Sequence, residues 1–140
     1  MAGVSRTRSL SPTAAWQPLT ASALGRALIG ADRESALRLA IQFADDFRAA
    51  PRELLAQLVN DPAPMTGDQH LDALVAGLVE HLCGRAGVAS PIWVEEDGRF
   101  LDSWWFVAEL PKLRALALVE SPAALRRRGV FVTEGFLASA

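Results

Sequence analysis

Tyrosine is absent, cysteine occurs once, and lysine occurs once, at Lys112, against thirteen arginines. Each scarcity excludes something. A lone Cys83 rules out a disulfide within these 140 residues, and its place on an apolar helical pattern points to a buried thiol in a reducing cytoplasm. No apolar run approaches the roughly eighteen residues that a membrane-spanning helix needs. The first residues, MAGVSRTRSLSPTAAWQPL, hold two arginines but no apolar core of the kind a secretory signal uses, so a cytoplasmic protein without membrane contact is expected. A formal net charge of −2 gives no global attraction to nucleic acid, so such binding would rest on a local patch.

The signatures of chemistry are missing as well. Gly25, Gly30, Gly84 and Gly87 form neither GxGxxG nor a phosphate loop, and no serine has a GxSxG context. His70 and His81 lie on one helical pattern about 16 Å of rise apart, too far to share a metal, and Cys83 has no second cysteine beside it. The acidic pairs Asp45-Asp46 and Glu95-Glu96 read as solvated surface, the first because neighbours on a helix diverge too far to share a proton and the second because it lies in a loop. No catalytic residue, metal ligand or cofactor site is therefore assigned, and the chain is not expected to be an enzyme.

What is present is helix. Hydrophobic residues make up 51% of the chain, mostly Ala, Leu and Val, and charged residues 21%, which suits one packed domain. The expected organisation is a flexible tail over 1–19 followed by a single all-α domain over 20–140. At most one or two short strands are expected, near 91–95 and 130–132. Trp16 in the tail reads as docking on the domain or on a partner. A short helix ending at Gly30 is predicted over 20–29, and a longer one over 31–49 with Asp32 as N-cap. Pro51 opens another, with Leu54, Leu55, Leu58 and Val59 on its apolar face. Thr66 with Gln69 forms a capping-box pattern ahead of Leu71, Leu74, Val75, Leu78, Val79 and Leu82, which mark one buried face.

The eventful stretch is 99–140. Phe100, Leu101, Trp104, Trp105, Phe106 and Leu110 fit a helical turn or two, and Pro111 starts a helix with Leu113, Leu116, Ala117 and Val119. Ser121-Pro122 reads as a cap and first turn of a helix running through Arg126-Arg127-Arg128 to Gly129; Val130 to Val132 reads as a strand, and Thr133 as the cap of a last turn. Adjacent Trp104 and Trp105 cannot both face inward on one helix, so one sits at a margin or under a partner. The three arginines suit a helix C-terminus, and equally an acidic protein surface or DNA phosphates. Trp104, Trp105, Arg126, Arg127 and Arg128 are the candidate partner-binding residues.

The wording of this stretch resembles a group of small bacterial proteins. The likeness rests on Arg99-Phe-Leu-Asp-Ser-Trp-Trp-Phe106, Leu110-Pro111, Ala117-Leu-Val-Glu-Ser-Pro-Ala-Ala124 and Arg126-Arg-Arg-Gly-Val-Phe131. Upstream it takes in Ala36-Leu-Arg-Leu39, Phe43-Ala-Asp-Asp46, Asp72-Ala-Leu74 and Glu80-His81-Leu82, so that it covers about 32–140. Similar segments occur alone or behind a Xre-type helix-turn-helix, often beside a nucleotidyltransferase-like gene of toxin type. The resemblance implies an antitoxin-like partner protein and carries over no site residues. Residues 1–31 are too short for the helix-turn-helix of the fused members. Expected partners are a nucleotidyltransferase-like toxin first and DNA through Arg126–Arg128 second, with homo-oligomerisation open. An enzyme with an unrecognised site is the third reading.

Overall fold

The computed structural model describes residues 16–138, so the expected tail falls largely outside the described residues. Where it is described, Trp16 docks on the domain: its indole N–H donates to Asp46 Oδ1 at 3.3 Å, and Leu19 N donates to Asp46 Oδ2 at 2.8 Å. The remainder is mainly helical, with one two-stranded parallel sheet among the described residues.

Helices α1 (Ala21–Leu28), α2 (Arg33–Ala49) and α3 (Leu55–Asn60) match the apolar periodicity, and the side chains of Thr20 and Asp32 cap the first two by accepting from Ala23 N and Ser35 N. A single turn of tighter helix over Arg52–Leu54 leads into α3 after Pro51. Helix α4 (Gln69–Ala86) is the hub. Its N-cap is Asp68, which accepts from His70 N and Leu71 N. Thr66 is not the cap that its spacing to Gln69 suggested; its hydroxyl donates to Asp72 Oδ1 at 2.9 Å and accepts from Asp68 N at 3.0 Å, holding the approach to the helix. At the other end Gly87, in the left-handed region at φ 72°, donates to the carbonyls of Cys83 and Gly84 and stops α4.

Every residue of α4 from Leu71 to Val79 is buried, where the sequence pattern marked one face. The reason is that α1, α2, α6 and a turn over Ile92–Glu95 all pack around it. Its small residues allow the close approaches: a Cβ on Gly77 would lie 2.5 Å from Leu125 Cδ2. That is a contact only glycine permits.

Residues 92–95 form a single 3-10 turn instead of an edge strand. Trp93 turns inward and donates from Nε1 to Val59 O at 2.8 Å, Val94 is buried with it, and Ile92 is left exposed. After a second such turn over Asp97–Arg99, the aromatic stretch is extended and not helical. Strand β1 (Trp105–Phe106) pairs in parallel with β2 (Val130–Phe131), in the register Trp105 to Val130 and Phe106 to Phe131. Leu101 N, Trp105 N and Val107 N donate to Arg128 O, Gly129 O and Phe131 O at 3.0, 2.8 and 3.0 Å. A backbone committed to these long-range bonds cannot also close a helix.

Helix α5 (Pro111–Glu120) follows, then α6, which spans only Ala123–Arg126. Arg127 and Arg128 lie beyond it in a turn closed by Gly129 at φ 83°. Ser121 joins these pieces: its buried hydroxyl accepts from Val132 N at 2.8 Å and sits within donating distance of Ala117 O. Helix α7 (Glu134–Ala138) opens with Thr133 Oγ1 accepting from Phe136 N, as the sequence suggested.

Candidate protein-binding surface

The five residues singled out by sequence do not form one patch. Trp105 is half-buried, stacked on His70 at 4.6 Å between centroids with planes 6° apart, and the Arg33 guanidinium lies 4.9 Å from the same ring. It therefore closes the N-terminal ends of α2 and α4, and of the tryptophan pair Trp104 is the one at the margin. Trp104 is 66% exposed and leans on Phe131, with ring centroids 4.8 Å apart, and on Phe106 at 6.4 Å.

The three arginines are divided by the turn after α6. Arg128 is fully buried. It donates to Glu80 Oε1, to Ala124 O at 2.7 Å and to Val94 O at 2.7 Å, and its guanidinium lies 4.7 Å from the centre of the Phe100 ring. Arg127 is exposed but donates to Glu80 Oε1 at 3.2 Å and to Glu95 Oε2. Arg126 donates to Ser121 O at 2.6 Å and has no acidic partner among the described residues. Arg128 is thus corrected from a candidate contact residue to a core residue, and Arg127 is already neutralised. The physical cause is Glu80 on α4, directly under the turn. Burial alone would raise the Glu80 pKa, but the hydrogen bonds and charges of Arg128 and Arg127 outweigh it and hold the carboxylate below its ordinary range.

The acidic pairs lie at the surface as expected, Glu95 and Glu96 exposed and Asp45 and Asp46 partly so, but each of the four has a partner. Glu95 serves Arg127 and Glu96 pairs with Arg99, while Asp45 pairs with Arg48 and Asp46 holds Trp16 and Leu19. Arg99 was no candidate by sequence, yet it is buried, donating to Ala63 O and lying 4.8 Å from the Trp93 ring.

The surface that does emerge is α5 with the strand edge beside it. Ala117 is the one buried residue of that helix. Leu110, Leu116 and Val119 are 57%, 47% and 78% exposed, and Leu118 is exposed too. Leu116 and Val119, three residues apart, are neighbours on the helix. Arg114 lies over the Phe106 ring at 5.6 Å, which ties α5 to the aromatic cluster of Trp104. A helix that is apolar on most of its surface is ordinarily buried on most of its surface, and this one is not. The signal was in the sequence: Leu118 and Val119 fall off the side of Leu113 and Ala117, leaving no polar face.

Among the described residues no three His, Cys, Asp or Glu gather to hold a metal ion. Cys83 is buried, which pushes its thiol pKa up to about 11 and leaves almost no thiolate at neutral pH. Among the described residues no helix is long and apolar enough to cross a membrane. No family model, no curated protein and no solved structure matches the chain.

Proposed function

We propose that the chain is a protein-interaction module, the antitoxin-like member of a pair, which neutralises a nucleotidyltransferase-like toxin by covering its site. The observation that carries this reading is the exposed apolar surface of α5 with Trp104. Burying a side chain of this size on a partner returns roughly 1.5–3 kcal/mol, and tryptophan at the centre of such a surface is a frequent hot spot. The resemblance of residues 32–140 to antitoxin-like proteins points the same way and is the ground for proposing a nucleotidyltransferase-like partner.

Regulation through DNA contacts at Arg126–Arg128 is the weaker reading, because two of the three cations are engaged with Glu80 and Glu95. Helix α6, at four residues, is also too short to serve as a recognition helix.

The test is co-expression with the product of the adjacent gene, followed by pull-down and a growth assay. A stable complex and relief of growth arrest are expected. Leu116→Glu with Val119→Glu should abolish both while leaving the thermal midpoint of the free chain within a few degrees, since both side chains are already in water. Absence of a complex, or a complex that the double variant leaves intact, would overturn the reading.

A further inference from the structure

Lys112, the only lysine of the chain, and Glu120 stand at the two ends of α5, each four residues from Leu116. Residues four apart follow one side of a helix, so the three form a row, with the cation about 6 Å of rise before the leucine and the carboxylate about 6 Å after it. Ala115 and Val119, also four apart, make the neighbouring row, and both are exposed. Neither end charge is balanced within the described residues. Lys112 has no carboxylate beside it there, and Glu120 no cation, although Glu120 Oε1 accepts from Glu134 N at 2.8 Å. Such a row is its own complement when reversed. A second copy of the helix laid against it end for end sets Leu116 on Leu116 and brings each Lys112 opposite the other's Glu120, whereas a parallel copy sets like charge on like. Ala115 beside the leucine leaves room for that second backbone to approach.

We propose that α5 is covered by α5 of a second copy of this chain when no other partner holds it, the two helices running antiparallel about a twofold axis at Leu116. The inference rests on the reading of α5 as a binding surface and adds its regulation: self-association and capture of the partner compete for the same residues. The contact is small. A helix of 10 residues buries less than the roughly 1,200 Å² at which weak, transient assemblies give way to stable ones. The dimer therefore forms in the micromolar range or above and dissociates on dilution, which leaves a monomer ready for the partner.

The experiment is sedimentation equilibrium of the full chain at concentrations up to about 1 mM. It should show monomer passing to dimer and nothing larger, because a twofold contact closes on itself. Lys112→Glu puts two like-charged pairs into the interface and should raise the dissociation constant about tenfold or more. Glu120→Lys should do the same. Mixed in equal amounts the two variants should associate again, and so should a chain carrying both changes, since opposite signs then meet at both ends. Lys112 is exposed, so Lys112→Glu should keep the wild-type thermal midpoint. Its result decides alone if Glu120→Lys, which disturbs the bond from Glu134 N, lowers stability. A chain that stays monomeric at about 1 mM would overturn the proposal. So would a dimer indifferent to Lys112→Glu, or two folded variants that fail to associate on mixing. Adding the product of the adjacent gene should convert the dimer into a complex with one copy of the chain, and a complex that keeps two would overturn the competition. The two readings fail separately: a monomeric chain that binds that product refutes only the dimer, and a charge-sensitive dimer that does not bind it refutes only the toxin partner.

Discussion

Arg128 carries its charge at full burial, and Glu80 is the group that makes this tolerable. Removing a guanidinium from water costs several kcal/mol, offset here by a carboxylate, two backbone carbonyls and the face of Phe100. Arg127 is tied to the same carboxylate at the surface, where an ion pair is worth about 1 kcal/mol or less. Alanine at the three positions should therefore give three different results in urea denaturation. Arg128→Ala should cost about 3 kcal/mol or more, Arg127→Ala about 1 kcal/mol, and Arg126→Ala less still. The pH dependence follows from the same contact. The Glu80 pKa is lower in the folded chain than in the unfolded one, so the unfolded state takes up the proton first. Its stabilisation is present in full above the ordinary glutamate value of about 4.3 and is lost as pH falls through the lower folded value. Glu80→Gln should flatten the acid limb of the urea midpoint plotted against pH.

Helices α4 and α6 meet where Gly77 receives Leu125. A methyl group there cannot be absorbed by a surface side chain, because Leu125 is itself buried and Ala124 O stands 3.3 Å from the added carbon. Gly77→Ala should destabilise by about 1–3 kcal/mol despite its better helix propensity, and Leu125→Ala should cost less in the Gly77→Ala chain than in the wild type, a coupling that a double-mutant cycle reads. Whether an element was legible in the sequence depended on where its determinants lie. Helices α1 and α2 and the start of α7 could be read because their periodicity and their caps, Thr20, Asp32 and Thr133, are local. The stretch from Phe100 to Leu110 could not. Its aromatics suit a helix or a strand, and the choice is made by Gly129 and Phe131, more than twenty positions on, whose carbonyls take its N–H groups. The same holds for α4, where periodicity found the Leu and Val face but not the opposite one, since Ala73, Ala76 and Gly77 look neutral until neighbours are packed against them. At the site, the exposed tryptophan of the pair was anticipated as a class, whereas the division of the arginine run depended on Glu80, forty-seven positions from Arg127.

Across the whole molecule, burial is distributed unevenly in a way that bears on the proposed role. Helix α4 is enclosed on every side from Leu71 to Val79, so its amides have no route to solvent short of unfolding the domain. Helix α5 is held by Ala117, by the Ser121 hydroxyl below it and by contacts with β2, while its remaining apolar surface faces water. Local opening of α5 exposes little further apolar area and so costs little. Native-state hydrogen exchange should therefore show α4 amides exchanging at the global unfolding free energy and α5 amides exchanging several kcal/mol below it. If α5 is the face a partner covers, forming the complex should raise protection in α5 and at the Trp104 edge selectively. Amides of α4 should gain only what binding adds to global stability. Equal protection of α4 and α5 in the free chain would mean that α5 is packed more firmly than its exposure implies. Protection gained at α2 or α3 in place of α5 would move the partner surface to the other side of the molecule.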